Sequence, residues 1–421
     1  MDCCNTGAML PLEEAKSRLA DAITPIVETE TVSIAQALDR ILATDIHSEL
    51  QVPGYDNSAM DGYALRAADL QHSDTLTLVG KSFAGTPYDG KVQAGECIRI
   101  MTGALVPPDT DTVIMQENTN VQGNTEVGDQ ITFSGTAKAG SNIRRAGEDI
   151  DIGTAVLTRG RRISPADIGL LASIGVATVT VFRPIKVGIF STGDELRLPG
   201  QSLDPGCIYE SNRFVVSAML QRLGAEIVDL GIIPDKPEAL ENAFIEASSQ
   251  CDAVISSGGV SVGEADYTKT ILDKLGAVGF WKVAIKPGKP FAFGTIGDIN
   301  STAGSYFFGL PGNPVSATVT FHQLALPVLR KLAGESVTES PTIEVPAQHA
   351  VRKSPGRTDF QRGNLVVDEQ GHSKVSTTGA QGSGILSSIS RADCYLVLER
   401  EHGNYDEDDL ITVQPFDRWL G

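Results

Sequence analysis

Alternating strand-length and helix-length segments predict a multidomain α/β plus β protein, built on a three-layer α/β domain with a mostly parallel sheet. Three observations carry this. Residues 184–333 repeat apolar strands and capped helices, residues 49–150 break into short β-rich runs between turn residues, and the chain turns β-rich again after Gly334. The predicted units are a helical region over 1–48 and 151–183, an inserted small β domain over 49–150, the α/β domain over 184–333 and a C-terminal β domain over 334–421.

In chain order, Leu12, Ala15, Leu19 and Ile23 keep helical spacing. Ser33 followed by an Ile-Ala-Gln-Ala-Leu pattern predicts a second helix reaching about residue 45. Leu76–Val79, Cys97–Met101 and Thr112–Met115 read as strands. Residues 118–141, rich in Gly, Asn and Thr, read as a hairpin or exposed loop. Ser164, Pro165 and Gly175 frame a helix with a cap, a first-turn proline and a glycine stop. Lys186–Phe190, Ile227–Leu230 and Ala253–Ser257 are strand-like, separated by helices from Ser211 to Gly224 and from Pro237 onward. Asp266–Leu275 and Asn313–Leu332 supply further helices. Strands at Thr342–Val345, Gly363–Val367 and Cys394–Leu398 follow.

Composition excludes several classes. A 421-residue chain is too long for one ordinary core, and 41% hydrophobic content is too high for disorder. No apolar run reaches the roughly 18 residues of a membrane span, and no secretory segment opens the chain, so a cytoplasmic protein is expected. Six dispersed cysteines without a C-x-x-C pair, and six scattered histidines, argue against disulfides and against zinc. A formal charge of −19 argues against nucleic acid as a bulk partner. Local basic clusters at Arg144-Arg145, Lys282/Lys286/Lys289 and Arg352–Arg362 instead fit a small anion, whereas Arg161-Arg162 reads as solvated surface charge.

Four glycine-bearing loops gather where strands end: Ser191–Leu196, Gly258–Asp266, Lys286–Pro290 and Gly309–Pro314. In open α/β sheets that edge is where ligands bind. Gly258-Gly259 fits neither a dinucleotide fingerprint nor a P-loop, yet it permits close approach to a phosphate; a tight strand-to-helix turn is the plainer alternative. Glu195, Asp235 and Asp266 converging on one edge would coordinate Mg²⁺ and bridge it to phosphate oxygens, with Lys282 and Lys286 as point cations. N-capping would explain Asp235 and Asp266 without function, but not Glu195. Asp56–Tyr63 and Ile143–Asp149 are two further polar loops, an Asx-turn and an ion-pair turn on the bland reading. Both lie outside the α/β unit, so a role needs a second domain or subunit closing over it.

Together these runs resemble the molybdopterin molybdenumtransferases (MoeA type, related to the C-terminal part of gephyrin) over nearly the whole chain. The marks are Pro53–Tyr63, Ile100–Ala104, Ile143–Asp149, Ser191–Leu196, Ser256–Tyr267, Lys286–Pro290 and Leu310–Ser316. The resemblance implies an elongated homodimer of four regions ending in a β barrel, and a reaction of adenylylated molybdopterin with molybdate that yields molybdenum cofactor and AMP with Mg²⁺. Carried over by position, it implies functional residues at Asp61, Thr102, Arg144, Asp149, Glu195, Asp235, Asp266, Lys282 and Lys286, joined by Pro311, Pro314, Arg362 and Ser383. The expected site has Thr192, Gly193, Ser257, Gly258, Gly259 and Asn313 against the cofactor precursor. Glu195 and Asp235 hold the metal, and Asp61 with the Ile143–Asp149 loop comes from the partner subunit. An adenylyltransferase could be the upstream partner. That activity for this chain itself, or a gephyrin-like scaffold, are the alternatives.

Overall fold

The computed structural model describes residues 9–121, 124–136, 138–259, 267–298 and 304–421. Its central sheet has six strands in the order Glu226–Ile233, Lys186–Thr192, Ala253–Ser257, Ser305–Leu310, Pro290–Ile296 and Gly276–Lys282. The first four run parallel, Pro290–Ile296 runs against them, and Gly276–Lys282, antiparallel to Pro290–Ile296, runs with the first four. Ala253–Ser257 and Ser305–Leu310 are buried along their whole length because helices cover both faces. Asn212–Leu223 and the 314–332 helix join Val187, Ile189 and Ile255 on one side. Pro237–Ser248 and Tyr267–Leu275 cover Phe190, Val254 and Phe307 on the other.

Local chemistry explains the helix ends. Ser164 and Asp167 form a reciprocal capping box at the start of Pro165–Ser173. Gly224, at φ 83°, closes Asn212–Leu223 in the left-handed conformation that glycine tolerates. Between Pro314–Thr320 and Leu326–Leu332 the helix widens into a π turn, Phe321–Ala325, directly before Pro327, whose missing N–H cannot continue an α-helical ladder.

The expected second helix near residue 33 is absent. Thr29–Ser33 is a strand paired with Thr178–Phe182, followed by one 3₁₀ turn at Ile34–Gln36. Asp39 then takes φ 63°, which an α-helix forbids, and Leu42 N–H bonds Arg161 O. Ala37 and Leu42 still reach a core, with Leu157, Ile163 and Leu171. Tertiary pairing thus overrode a helical spacing whose apolar residues were needed anyway. Arg162 likewise departs from its expected solvated state: its side chain is 8% exposed and pairs with Glu335 at 2.7 Å.

Residues 62–132 hold a five-stranded sheet with apolar clusters on both faces. A C-terminal sheet joins Thr358–Val367 to Cys394–Leu398, Leu410–Pro415 and Ile343–Pro346, with Ser373–Thr377 on its other side. Ile285–Lys286, from the α/β region, adds a further short strand to that sheet. The largest apolar cluster runs continuously from Leu12 through the α/β helices to Tyr395 and Trp419. Among the described residues no helix is long and apolar enough to cross a membrane.

Phe244 is fully buried and packs edge-on against both Phe190 and Phe307. Phe244→Ala should therefore lower the stability of the α/β unit by about 3–5 kcal/mol. Chemical denaturation followed by circular dichroism measures it.

Candidate active site

The chain passes from Lys186–Thr192 outward to Glu226–Ile233 and then back across to Ala253–Ser257. Connections leave the first and third of these in opposite directions, which opens a crevice at their carboxyl ends. A cavity of about 1050 Å³ lies there, lined by Thr192, Gly193, Ser257, Gly258 and Gly259 among others. That is just above the roughly 300–1,000 Å³ usual for one small ligand.

Three glycines make the close approach possible. A Cβ on Gly258, at φ 91°, would stand 2.8 Å from the Thr192 carbonyl oxygen. One on Gly259, at φ 69°, would stand 2.7 Å from Thr268 Oγ1. Gly193, at φ 145°, lies under the Glu195 carboxylate, whose oxygens would be 2.7 and 2.9 Å from an added Cβ. Backbone conformation disfavours side chains at all three positions, and at Gly258 the Thr192 backbone takes the space as well.

Glu195 and Asp235 both line the cavity, on loops that follow adjacent strands. Asp235 does not cap the following helix: Lys236 holds that position and no side-chain cap bond forms. Its carboxyl is instead held above the ordinary aspartate range, first by partial burial and then by the Asp194 and Glu195 carboxylates. Such crowding of acids at a cavity rim suits a divalent cation. Among the described residues no group of three or more His, Cys, Asp or Glu is arranged to hold a metal alone. Two carboxylates completed by phosphate oxygens is the usual Mg²⁺ arrangement, and these residues fit it.

Pro311, Asn313 and Pro314 also line the cavity. Asn313 occupies the cap position of Pro314–Thr320 without spending its side chain on a cap bond. Arg362 does not reach the cavity. It is fully buried, and it holds the neighbouring loop by donating to Ser388 Oγ at 3.0 Å, Phe360 O at 3.2 Å and Gly382 O at 3.4 Å. That loop contributes Gly384 and Leu386 to the cavity, while the Ser383 carbonyl accepts Val315 N–H at 3.0 Å.

The lysines differ most from expectation. None of the described residues lining the cavity is basic. Lys282 is exposed, and its carbonyl accepts Leu10 N–H. Lys286 pairs with Asp359 of the C-terminal sheet, and only Pro290 of its loop reaches the cavity wall. Asp266 lies outside the described residues.

A separate polar cluster sits on the inserted β region. Asp61 Oδ1 accepts both the N–H and the hydroxyl of Thr102 at 2.8 Å, which hold its carboxyl below the usual range. Arg144 pairs backbone with Asn57, Arg145 contacts Asp56 at 2.5 Å, and Asp149 N–H bonds Val52 O. Asp61, Thr102, Arg144 and Asp149 are all exposed, and none lines the cavity of this chain.

Sequence reasoning missed Asn212. Its amide donates to Ser257 Oγ at 2.8 Å and to Gly312 O at 2.7 Å, tying two cavity loops together. The sequence pointed to Ser211 as the helix cap and gave Asn212 no role, yet Ser211 makes no cap bond. Glu210, buried beside it, accepts Ser191 Oγ–H at 3.1 Å and Arg213 N–H at 2.7 Å.

Fold and site define a multidomain α/β protein with a switch-point cavity lined by glycine backbone, hydroxyls and carboxylates. Three family profiles match in succession: the MoeA N-terminal region (domain I and II) over residues 10–175, a probable molybdopterin binding domain over 188–331, and the MoeA C-terminal region (domain IV) over 344–416. The chain is 47% identical to the molybdopterin molybdenumtransferase of Haemophilus influenzae, over 98% of its own length and 100% of that protein's. It is 34% identical to gephyrin of Dictyostelium discoideum over 96% of this chain and 62% of the relative. A crystal structure of the molybdopterin biosynthesis moeA protein from Pyrococcus horikoshii OT3 superposes with a TM-score of 0.82 at 28% identity, covering 97% of this chain and 100% of that one. The chain belongs to the molybdopterin molybdenumtransferase (MoeA) family.

Because Asp235 is held above its ordinary value, its protonated form favours the folded state below pH 3.8, and that contribution is lost as pH rises through the raised value. Asp235→Asn should therefore unfold at a higher temperature than the native protein at pH 7, with the gap closing below about pH 4. Thermal unfolding across that range checks it.

Proposed function

We propose that this chain inserts molybdenum into adenylylated molybdopterin, using molybdate and releasing AMP to leave molybdenum cofactor. The observation that carries the reading is the switch-point cavity, in which Gly193, Gly258 and Gly259 carry no side chains beside the carboxylates of Glu195 and Asp235. Bare backbone lets a pyrophosphate approach closely, and Thr192 and Ser257 supply hydroxyl donors. Glu195 and Asp235 would hold Mg²⁺, which supplies charge neutralisation to the phosphate oxygens when bound. Asn212 keeps Ser257 and the Gly312 loop at a fixed separation, so the donors meet the ligand without rearranging.

A wall with acids and no described basic residue cannot balance an anionic substrate alone. In this reading Lys286 and Lys282, at strand ends outside the wall, carry positive charge toward the oxyanion, and Asp266 is a further catalytic residue. Exposure of Asp61, Thr102, Arg144 and Asp149 away from this chain's cavity supports their delivery to the cavity of a second copy, and so a homodimer. The four-unit layout with a closed C-terminal barrel belongs to the same reading. The Ala347–Val375 bridge, which links the two ends of that sheet, supports it.

Glu195→Gln keeps size and removes the charge. AMP release from adenylylated molybdopterin, measured against Mg²⁺ concentration, should fall about 10²-fold or more. An unchanged rate with unchanged Mg²⁺ dependence would remove Glu195 from the metal site.

A further inference from the structure

Backbone pairing fixes an unassigned carboxylate beside one of the cationic loops. Ile285-Lys286 runs parallel to Thr358-Asp359, with Lys286 opposite Asp359, and Thr358 N–H bonds Ala284 O at 2.9 Å. The Lys286 ammonium lies 2.9 Å from Asp359 Oδ2. Asp359's side chain is 3% exposed and that of Lys286 40%. One face of the ammonium is therefore anchored on a dry carboxylate while the other stays open to solvent.

The carboxylate is itself held. Gln361 Nε2 donates to the same Oδ2 at 3.2 Å and to Arg352 O at 2.9 Å. Buried Lys353 and Arg362 both feel the Asp359 charge, which opposes the lowering that burial imposes on them. Lys353 is spent on the carbonyls of Ser354, Arg400 and His402, and Arg362 on its own loop, so Lys286 is the cation in direct contact. After Lys286 the chain is pinned again: a Cβ on Gly288, at φ 117°, would stand 2.2 Å from Thr320 Oγ1, and Pro290 then enters the cavity wall. Strand, ion pair and helix contact together leave the Lys286 loop little freedom.

We propose that Asp359 is a positioning residue for the transfer reaction: its carboxylate, carried on the C-terminal sheet, fixes the Lys286 ammonium beside the cavity to receive an oxyanion substrate. The proposal rests on the molybdenum-insertion reading. A lysine stem is flexible and gains direction only when its head is held. The coupling also makes the C-terminal sheet part of the active site without its touching substrate.

The test is a double-mutant cycle on the full chain, reading AMP release against molybdate concentration, with fold checked by thermal unfolding. Asp359→Asn and Lys286→Ala should each raise the half-saturating molybdate concentration about tenfold while leaving the saturated rate within about twofold. The double variant, which leaves neither charge unpaired, should be no worse than Lys286→Ala, and Asp359→Glu should recover most of the loss. Multiplying effects in the double variant, a fall in saturated rate alone, or native kinetics for Lys286→Ala would each overturn the proposal. A native protein without molybdate-dependent AMP release would overturn the functional reading instead.

Discussion

Parallel pairing of Lys186–Thr192 with Ala253–Ser257, ending with Ser191 opposite Ser257, is the constraint on which the rest of the molecule depends. Two strands that finish side by side and send their chains to opposite flanks leave a gap that neither connection can fill. Loops crowded at such an edge leave little room for Cβ atoms. The Gly258 Cβ position is contested by the Thr192 carbonyl, and the Gly193 position by Glu195. The same geometry thus creates the cavity and strips its floor to backbone.

Charge is distributed in a less obvious way. The chain carries −19, and the described wall of its cavity offers acids and hydroxyls without basic residues. Positive charge is held outside that wall and already engaged there. Lys286 is engaged by Asp359, and Arg362 by Ser388, Phe360 and Gly382. Cations left free beside Glu195 and Asp235 would pair with those carboxylates and compete with a divalent ion for them. Separating the two signs leaves the acids unpaired, so burial first and the Asp194 and Glu195 carboxylates second hold Asp235 above its ordinary range.

Much of the fold was legible because its signals are local. The Ser164 cap, the Gly224 stop and the prolines at 165, 237 and 314 are one-residue statements about helix ends, and each end forms within a residue or two of expectation. Two central strands, Lys186–Thr192 and Ala253–Ser257, were equally plain, since burial on both faces demands unbroken hydrophobic runs, whereas Gly276–Lys282, Pro290–Ile296 and Ser305–Leu310 were not read as strands. Residues 33–45 misled because a spacing that fits a helix also fits an irregular segment whose alternate side chains meet a core, as Ala37 and Leu42 do. Thr192, Gly193, Ser257, Gly258, Gly259, Glu195 and Asp235 were singled out because they sit at or just after strand ends, and all seven line the cavity. Asn212 was missed because a polar residue at a helix start has an ordinary explanation. Its bond to Gly312, a hundred residues away, leaves no trace in neighbouring positions.

By itself the sequence determined most of the element types and the helix starts and stops, the segment after Ser33 excepted, since propensity, caps and glycine placement act over a few residues. Which residues share a cavity was decided only in three dimensions. Strand order brought Thr192 to Ser257 and Asn212 to Gly312. A strand pairing between sequence-distant segments turned Lys286 toward Asp359, and burial withdrew Arg362 into the role of a loop anchor. Parallel pairing and side-chain burial depend on chain crossings of tens to hundreds of residues, and no local pattern encodes where those crossings end.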